Sequence, residues 1–77
     1  MKIKLYNTLT CPYCHMAKHF FDENNVEYEE VDVSKNKKAA DEMVEKSGQI
    51  GVPVIDIDGK IIVGFDVRAL KSALKLK

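Results

Sequence analysis

The sequence predicts an α/β fold in the order β-α-β-α-β-β-α, a four-stranded mixed sheet flanked by helices. Three observations carry this. Apolar residues form four short strand-like runs, they recur at helical spacing in three other segments, and Asp58-Gly59 separates two β-branched runs as a hairpin turn does. A βαβ unit followed by a ββα unit is a minimal way to cover both faces of such a sheet.

Lys2-Ile3-Lys4-Leu5-Tyr6 alternates polar and apolar residues, as a strand covered on one face does, and Asn7 to Thr10 reads as a loop of turn formers. From Pro12 to about Glu23, Met16, Ala17, Phe20 and Phe21 recur at helical spacing, with Asn24-Asn25 as the stop. Val26 to Val33 reads as the second strand, with Val31 and Val33 on one face. Ser34 begins a polar link into a second helix, whose buried stripe is Ala39, Ala40, Met43 and Val44 and whose stop is Gly48. Val52 to Ile57 and Lys60 to Val63 form the hairpin. Gly64-Phe65-Asp66 then leads into a last helix with Val67, Leu70, Ala73 and Leu74 as its apolar face and Asp66 as its N-cap. A right-handed first crossover places the loop after the first strand beyond the strand's carboxyl end, where open α/β sheets hold their sites.

Seventy-seven residues make one domain, spanning 1–77, with a single small core. Lys+Arg and Asp+Glu balance at 12 each, so no global field points to nucleic acid or to a membrane surface. The apolar runs are too short for a membrane span, and no secretory pattern is visible. Two cysteines confined to one motif fit a reducing compartment, so a cytoplasmic location is expected; the chain is also expected to be a monomer.

That motif, Cys11-Pro12-Tyr13-Cys14, carries the chemistry. A helix that starts at Cys11 leaves its sulfur at the positive end of the helix dipole, where unpaired main-chain N–H groups favour a thiolate. Cys14 lies one turn in, close enough to close a disulfide. Pro12 fits the first turn, where a missing N–H costs nothing. Cys11 is therefore the expected nucleophile and Cys14 the resolving thiol. A zinc site would have to recruit His15 and His19 from the same helix, a poor tetrahedron. The Cys-x-x-Cys-His string also matches a haem attachment pattern, but the chain enters a strand pattern with no export signal. A structural staple across so short a loop removes little chain entropy.

Two further motifs complete a resemblance: Val52-Pro53 ahead of the third strand and Gly64-Phe65-Asp66 ahead of the last helix. With Cys11-Pro12-Tyr13-Cys14, and over essentially its whole length, the chain resembles a glutaredoxin of the dithiol type, within the thioredoxin-like superfamily. The resemblance implies a cis bond at Val52-Pro53, pairing of Val52 main chain with the cysteinyl part of glutathione, and Pro53 beside the disulfide. It also implies that the γ-glutamyl end of glutathione lies on Gly64, Phe65 and Asp66. The residues support this on their own: a glycine permits close approach of a ligand, and a helix start with an aspartate can hold a carboxylate and an amine together. Tyr13 is expected to line the same groove, or else to be a helix-surface aromatic.

Two positions depart from the family pattern. The family's lysine shortly before the first cysteine has no counterpart in Asn7-Thr8-Leu9-Thr10, and Gly51 stands where a threonine precedes Val-Pro. Lys38 or Gln49 are candidate substitutes for the missing contact. The expected activity is thiol–disulfide exchange on disulfide-containing or glutathionylated proteins, with glutathione as co-substrate, no permanently bound cofactor and no metal. Two alternatives stay open: an electron donor reduced by thioredoxin reductase, for instance for ribonucleotide reductase, and a module holding an iron–sulfur cluster between two subunits with Cys11 and glutathione.

Overall fold

The computed structural model describes residues 2–75. In chain order it contains β1 (Ile3–Asn7), α1 (Pro12–Glu23), β2 (Glu29–Asp32), α2 (Lys37–Ser47), β3 (Val54–Ile57), β4 (Lys60–Val63) and α3 (Val67–Leu74), the expected order. The strands lie side by side as β2-β1-β3-β4. β1 runs parallel to β2 and antiparallel to β3, and β3 pairs antiparallel with β4, so the sheet is mixed as anticipated.

Strand alternation divides the core between the two faces. Ile3, Leu5, Ile55, Ile57 and Ile62 pack with Ala17 and Phe21 of α1 and Leu70 of α3. Tyr6 and Val54 point the other way and meet Met43 of α2, with Val31 and Val33 beside them. Full burial of Leu5, Phe21, Ile55 and Leu70 contributes about 2 kcal/mol for each side chain. The hairpin closes through Asp58 (φ 51) and Gly59 (φ 93), the two positive φ values a tight two-residue turn requires.

Four details differ from the sequence reading. Asn7 is the last residue of β1 rather than the first of a loop, and it is buried. The second strand begins only at Glu29, because β1 offers it partners from Lys4 onward; Val26 and Tyr28 pack on the α1 face outside the ladder. Met16 is 47% exposed, since the sheet-facing side of α1 runs through Cys14, Ala17 and Phe21 instead. Val67 is also exposed, and Ala69, not Val67, packs beside Leu70.

Candidate active site

Cys11 is the N-cap of α1, with an extended backbone (φ −89, ψ 114), and Pro12 occupies the first turn. Its sulfur does what an N-cap oxygen does: it accepts a hydrogen bond from the Cys14 main-chain N–H at 3.3 Å. The Cys11 thiol also faces the Val52 carbonyl, its Sγ 3.7 Å from that oxygen. Negative charge developing on Cys11 therefore meets a main-chain donor and the positive end of a helix.

Cys14 is fully buried. Burial pushes its thiol up to about 12, and the hydrogen bond to Cys11 adds to the effect, while the Thr8 main chain and the Lys18 ammonium pull the other way. Both cysteines are free thiols. The two sulfurs are thus unequal: one at a helix end and partly open, one enclosed and hard to ionise.

The other expected site residues lie along one continuous edge. Val52-Pro53 is a cis peptide, as the resemblance implied. Pro53 is fully buried and its carbonyl accepts from the Gly64 N–H at 2.8 Å, which ties the loop before β3 to the loop after β4. Gly64 has φ +79, a conformation that strains any side-chain-bearing residue. Asp66 caps α3, its Oδ1 accepting from the Ala69 N–H at 3.1 Å. The half-buried Phe65 ring packs edge-on against Phe20, with centroids 6.2 Å apart. Tyr13 is 60% exposed beside Cys11.

No positive charge stands in the segment from Asn7 to Thr10, and the Asn7 amide turns inward to donate to Glu30 at 2.8 Å. Of the two candidate substitutes, Gln49 lies close by: its side-chain nitrogen is 3.5 Å from the point a β-carbon on Gly51 would occupy. Lys38 is exposed on the first turn of α2. Among the described residues no three of His, Cys, Asp and Glu are grouped to hold a metal ion. No helix there is long and apolar enough to cross a membrane.

Three features escaped the sequence reading. His15 Nε2 lies 2.8 Å from the Leu9 carbonyl and fastens the loop ahead of Cys11. Lys18 forms an ion pair with Glu30 on the sheet side of α1; the i, i+4 spacing from Cys14 was the available signal. On the α2 face, Tyr6 donates to Glu42 at 3.0 Å, and Lys46 donates to the Tyr6 hydroxyl at 3.0 Å and to Asp56 at 2.8 Å. Glu42 is held down to about 2 by the hydrogen bonds from Lys46 and Tyr6. That network borders a depression of about 460 Å³ lined also by Lys2 and Asp58, which lie at the end of β1 opposite the thiols. Neither cysteine lines this depression, and of the two only Cys11 is partly exposed.

Comparison with known proteins agrees with this geometry. A glutaredoxin family model matches residues 3–62. An uncharacterized glutaredoxin-like 8.6 kDa protein of the rubredoxin operon of Clostridium pasteurianum is 47% identical over 95% of this chain and 97% of its own length. Glutaredoxin 3 of Escherichia coli is 38% identical over 83% of this chain and 77% of its own. The crystal structure of a mutant thioredoxin-like protein superposes with a TM-score of 0.93 at 34% identity, covering 99% of this chain and 97% of that one. The chain belongs to the glutaredoxin family, as a thiol redox protein of thioredoxin-like fold.

Proposed function

We propose that this chain is a glutathione-dependent oxidoreductase that reduces protein disulfides and glutathione mixed disulfides through Cys11 and Cys14, as a monomer in the cytoplasm. The observation that carries the reading is the single edge formed by the Cys11 sulfur, the Val52 carbonyl, and the Pro53–Gly64 hydrogen bond that brings the head of α3 alongside. An extended tripeptide with its thiol at Cys11 has main chain of Val52 to pair with. Its γ-glutamyl end meets the helix start at Asp66, and Tyr13 and Phe65 flank it.

The reaction begins when the Cys11 thiolate attacks a substrate disulfide and expels one sulfur as a thiolate, leaving a mixed disulfide on Cys11. Cys14 then attacks the Cys11 sulfur, the substrate's second sulfur leaves with the proton, and the Cys11–Cys14 disulfide remains. Glutathione restores the dithiol by attacking that disulfide, and a second glutathione releases the first as glutathione disulfide. A glutathionylated substrate needs Cys11 alone. No metal or bound cofactor enters these steps.

A second reading has a specific observation in its favour. The segment Asn7–Thr10 offers no cation to a glutathione carboxylate, and Gly51 offers no hydroxyl, which fits an electron donor reduced by thioredoxin reductase. Cys14→Ser tests the site directly. Incubated with glutathione disulfide, it is expected to accumulate one glutathione on Cys11, with amide NMR shifts concentrated at Val52, Gly64 and Asp66. A mixed disulfide that forms without perturbing those amides would leave the thiol chemistry and remove the binding site.

A further inference from the structure

The sheet-facing side of α1 is apolar except at one position. Cys14, Ala17 and Phe21 are fully buried, and between them Lys18 forms its ion pair with Glu30, its side chain only 19% exposed. Register explains the meeting: Leu5 pairs with Glu30 and Asn7 with Asp32, so Asn7, Glu30 and Asp32 all point from the sheet toward α1. The Glu30 carboxylate is fixed from its other side by the Asn7 amide, which donates at 2.8 Å. Asn7 is 1% exposed, and its Oδ1 has no hydrogen-bond partner among the described residues. An unmet buried acceptor is destabilising, so the amide is held there against a penalty, and what it holds is Glu30.

Resting on the thiol–disulfide reading, we infer that Lys18, clamped by Glu30 and Asn7, is a positioning residue for the resolving half-reaction, placing a positive charge behind Cys14 as that sulfur becomes a nucleophile. The step is Cys14–SH plus Cys11–S–S–R giving the Cys11–Cys14 disulfide plus R–SH. The bond between Cys11 and R breaks, and the Cys14 proton ends on the departing sulfur. Cys14 needs such help because it is enclosed and its thiol resists ionisation. Cys11 sits instead at the helix end, its sulfur accepting from the Cys14 N–H.

Facing Lys18 are Glu30 and Asp32 from β2, Tyr28 from the segment before it, and Cys14 on its own helix. Facing Cys14 are Cys11 and the Thr8 main chain. Of the charged side chains in this cluster, Lys18 is the one that favours a Cys14 thiolate. The carboxylates anchor the lysine: Lys18 holds Glu30 below the usual carboxylate range through its hydrogen bond, with Asn7 adding a second.

The test separates the two half-reactions. Reduced protein mixed in a stopped flow with dithiobis(nitrobenzoate) releases one coloured thiolate as Cys11 is capped and a second as Cys14 resolves the mixed disulfide. Lys18→Gln, which can still hydrogen-bond Glu30, is expected to slow the second phase severalfold and to move its pH-rate midpoint to higher pH, with the first phase unchanged. Lys18→Arg should restore both the rate and the midpoint, and Lys18→Met should behave as Lys18→Gln. Equal slowing of both phases, or a second phase at wild-type rate and midpoint in the Gln and Met variants, would overturn the assignment. A wild-type protein showing no first phase would instead sink the thiol–disulfide reading beneath it.

Discussion

Asp66 has two roles in this account, and they can be separated by choosing the substitution. Its Oδ1 caps α3 by accepting from Ala69 at 3.1 Å, and α3 is only eight residues long, so the cap is a large share of what starts it. Its carboxylate is exposed, and under the proposed function it meets the α-amine of glutathione. Asp66→Ala removes both and should cost about 1 kcal/mol of stability, a fall in Tm of about 4–8 °C for a domain of this size. Asp66→Asn keeps a good capping oxygen and removes only the charge, so its Tm should stay near wild type. An exposed ion pair is worth about 1 kcal/mol at most, which corresponds to a rise of about fivefold in the KM for glutathione. Thermal unfolding with NADPH-coupled turnover in the presence of glutathione reductase reads both quantities. The Asn variant is the decisive one: raised KM, unchanged kcat and unchanged Tm are expected, the pattern of lost ground-state binding. If Asp66→Asn keeps the wild-type KM while Asp66→Ala loses only stability, Asp66 is a helix cap and no more.

Two other outcomes follow from the site and its surroundings. Iodoacetamide at neutral pH should label Cys11 well before Cys14, because Cys14 is fully buried and its thiol is pushed up to about 12; faster labelling of Cys14 on peptide mapping, or turnover surviving in Cys11→Ser, would reverse the roles. Glu42 is held down to about 2 from an ordinary 4.5, so its contribution to stability is complete above about pH 4.5 and disappears as pH falls toward 2. Urea midpoints of Glu42→Gln should therefore fall less steeply than wild type across that interval, and parallel slopes would contradict the assigned network.

Much of the fold was legible because local signals agreed with one another. Asp58-Gly59 between β-branched runs named the hairpin, and Asp66 named the start of α3. What failed was decided by partners distant in sequence. Alternation from Val26 to Val33 could not show that pairing with β1 starts at Lys4 opposite Glu29, nor that Tyr28 would instead stack near Phe21, 5.0 Å between centroids. Met16 and Ala17 are adjacent, and helical periodicity alone left open which edge of the stripe met the sheet. At the site, the motif residues were readable because their chemistry is local: a thiol at a helix start, a proline before a strand, a glycine before a cap. Lys18 carries no signal of its own in the sequence and Asn7 reads as a loop residue, since their meaning depends on Glu30, which the β1–β2 register brings to them.

Glutathione dependence is read from the steady-state rate of NADPH oxidation with a disulfide substrate under two reductants, glutathione with glutathione reductase in one cuvette and thioredoxin reductase in the other. Turnover that saturates with glutathione and depends on Cys11 is expected in the first, with little in the second. Rapid turnover with thioredoxin reductase and none with glutathione would contradict it, leaving the dithiol chemistry in place and assigning the chain to the electron-donor reading.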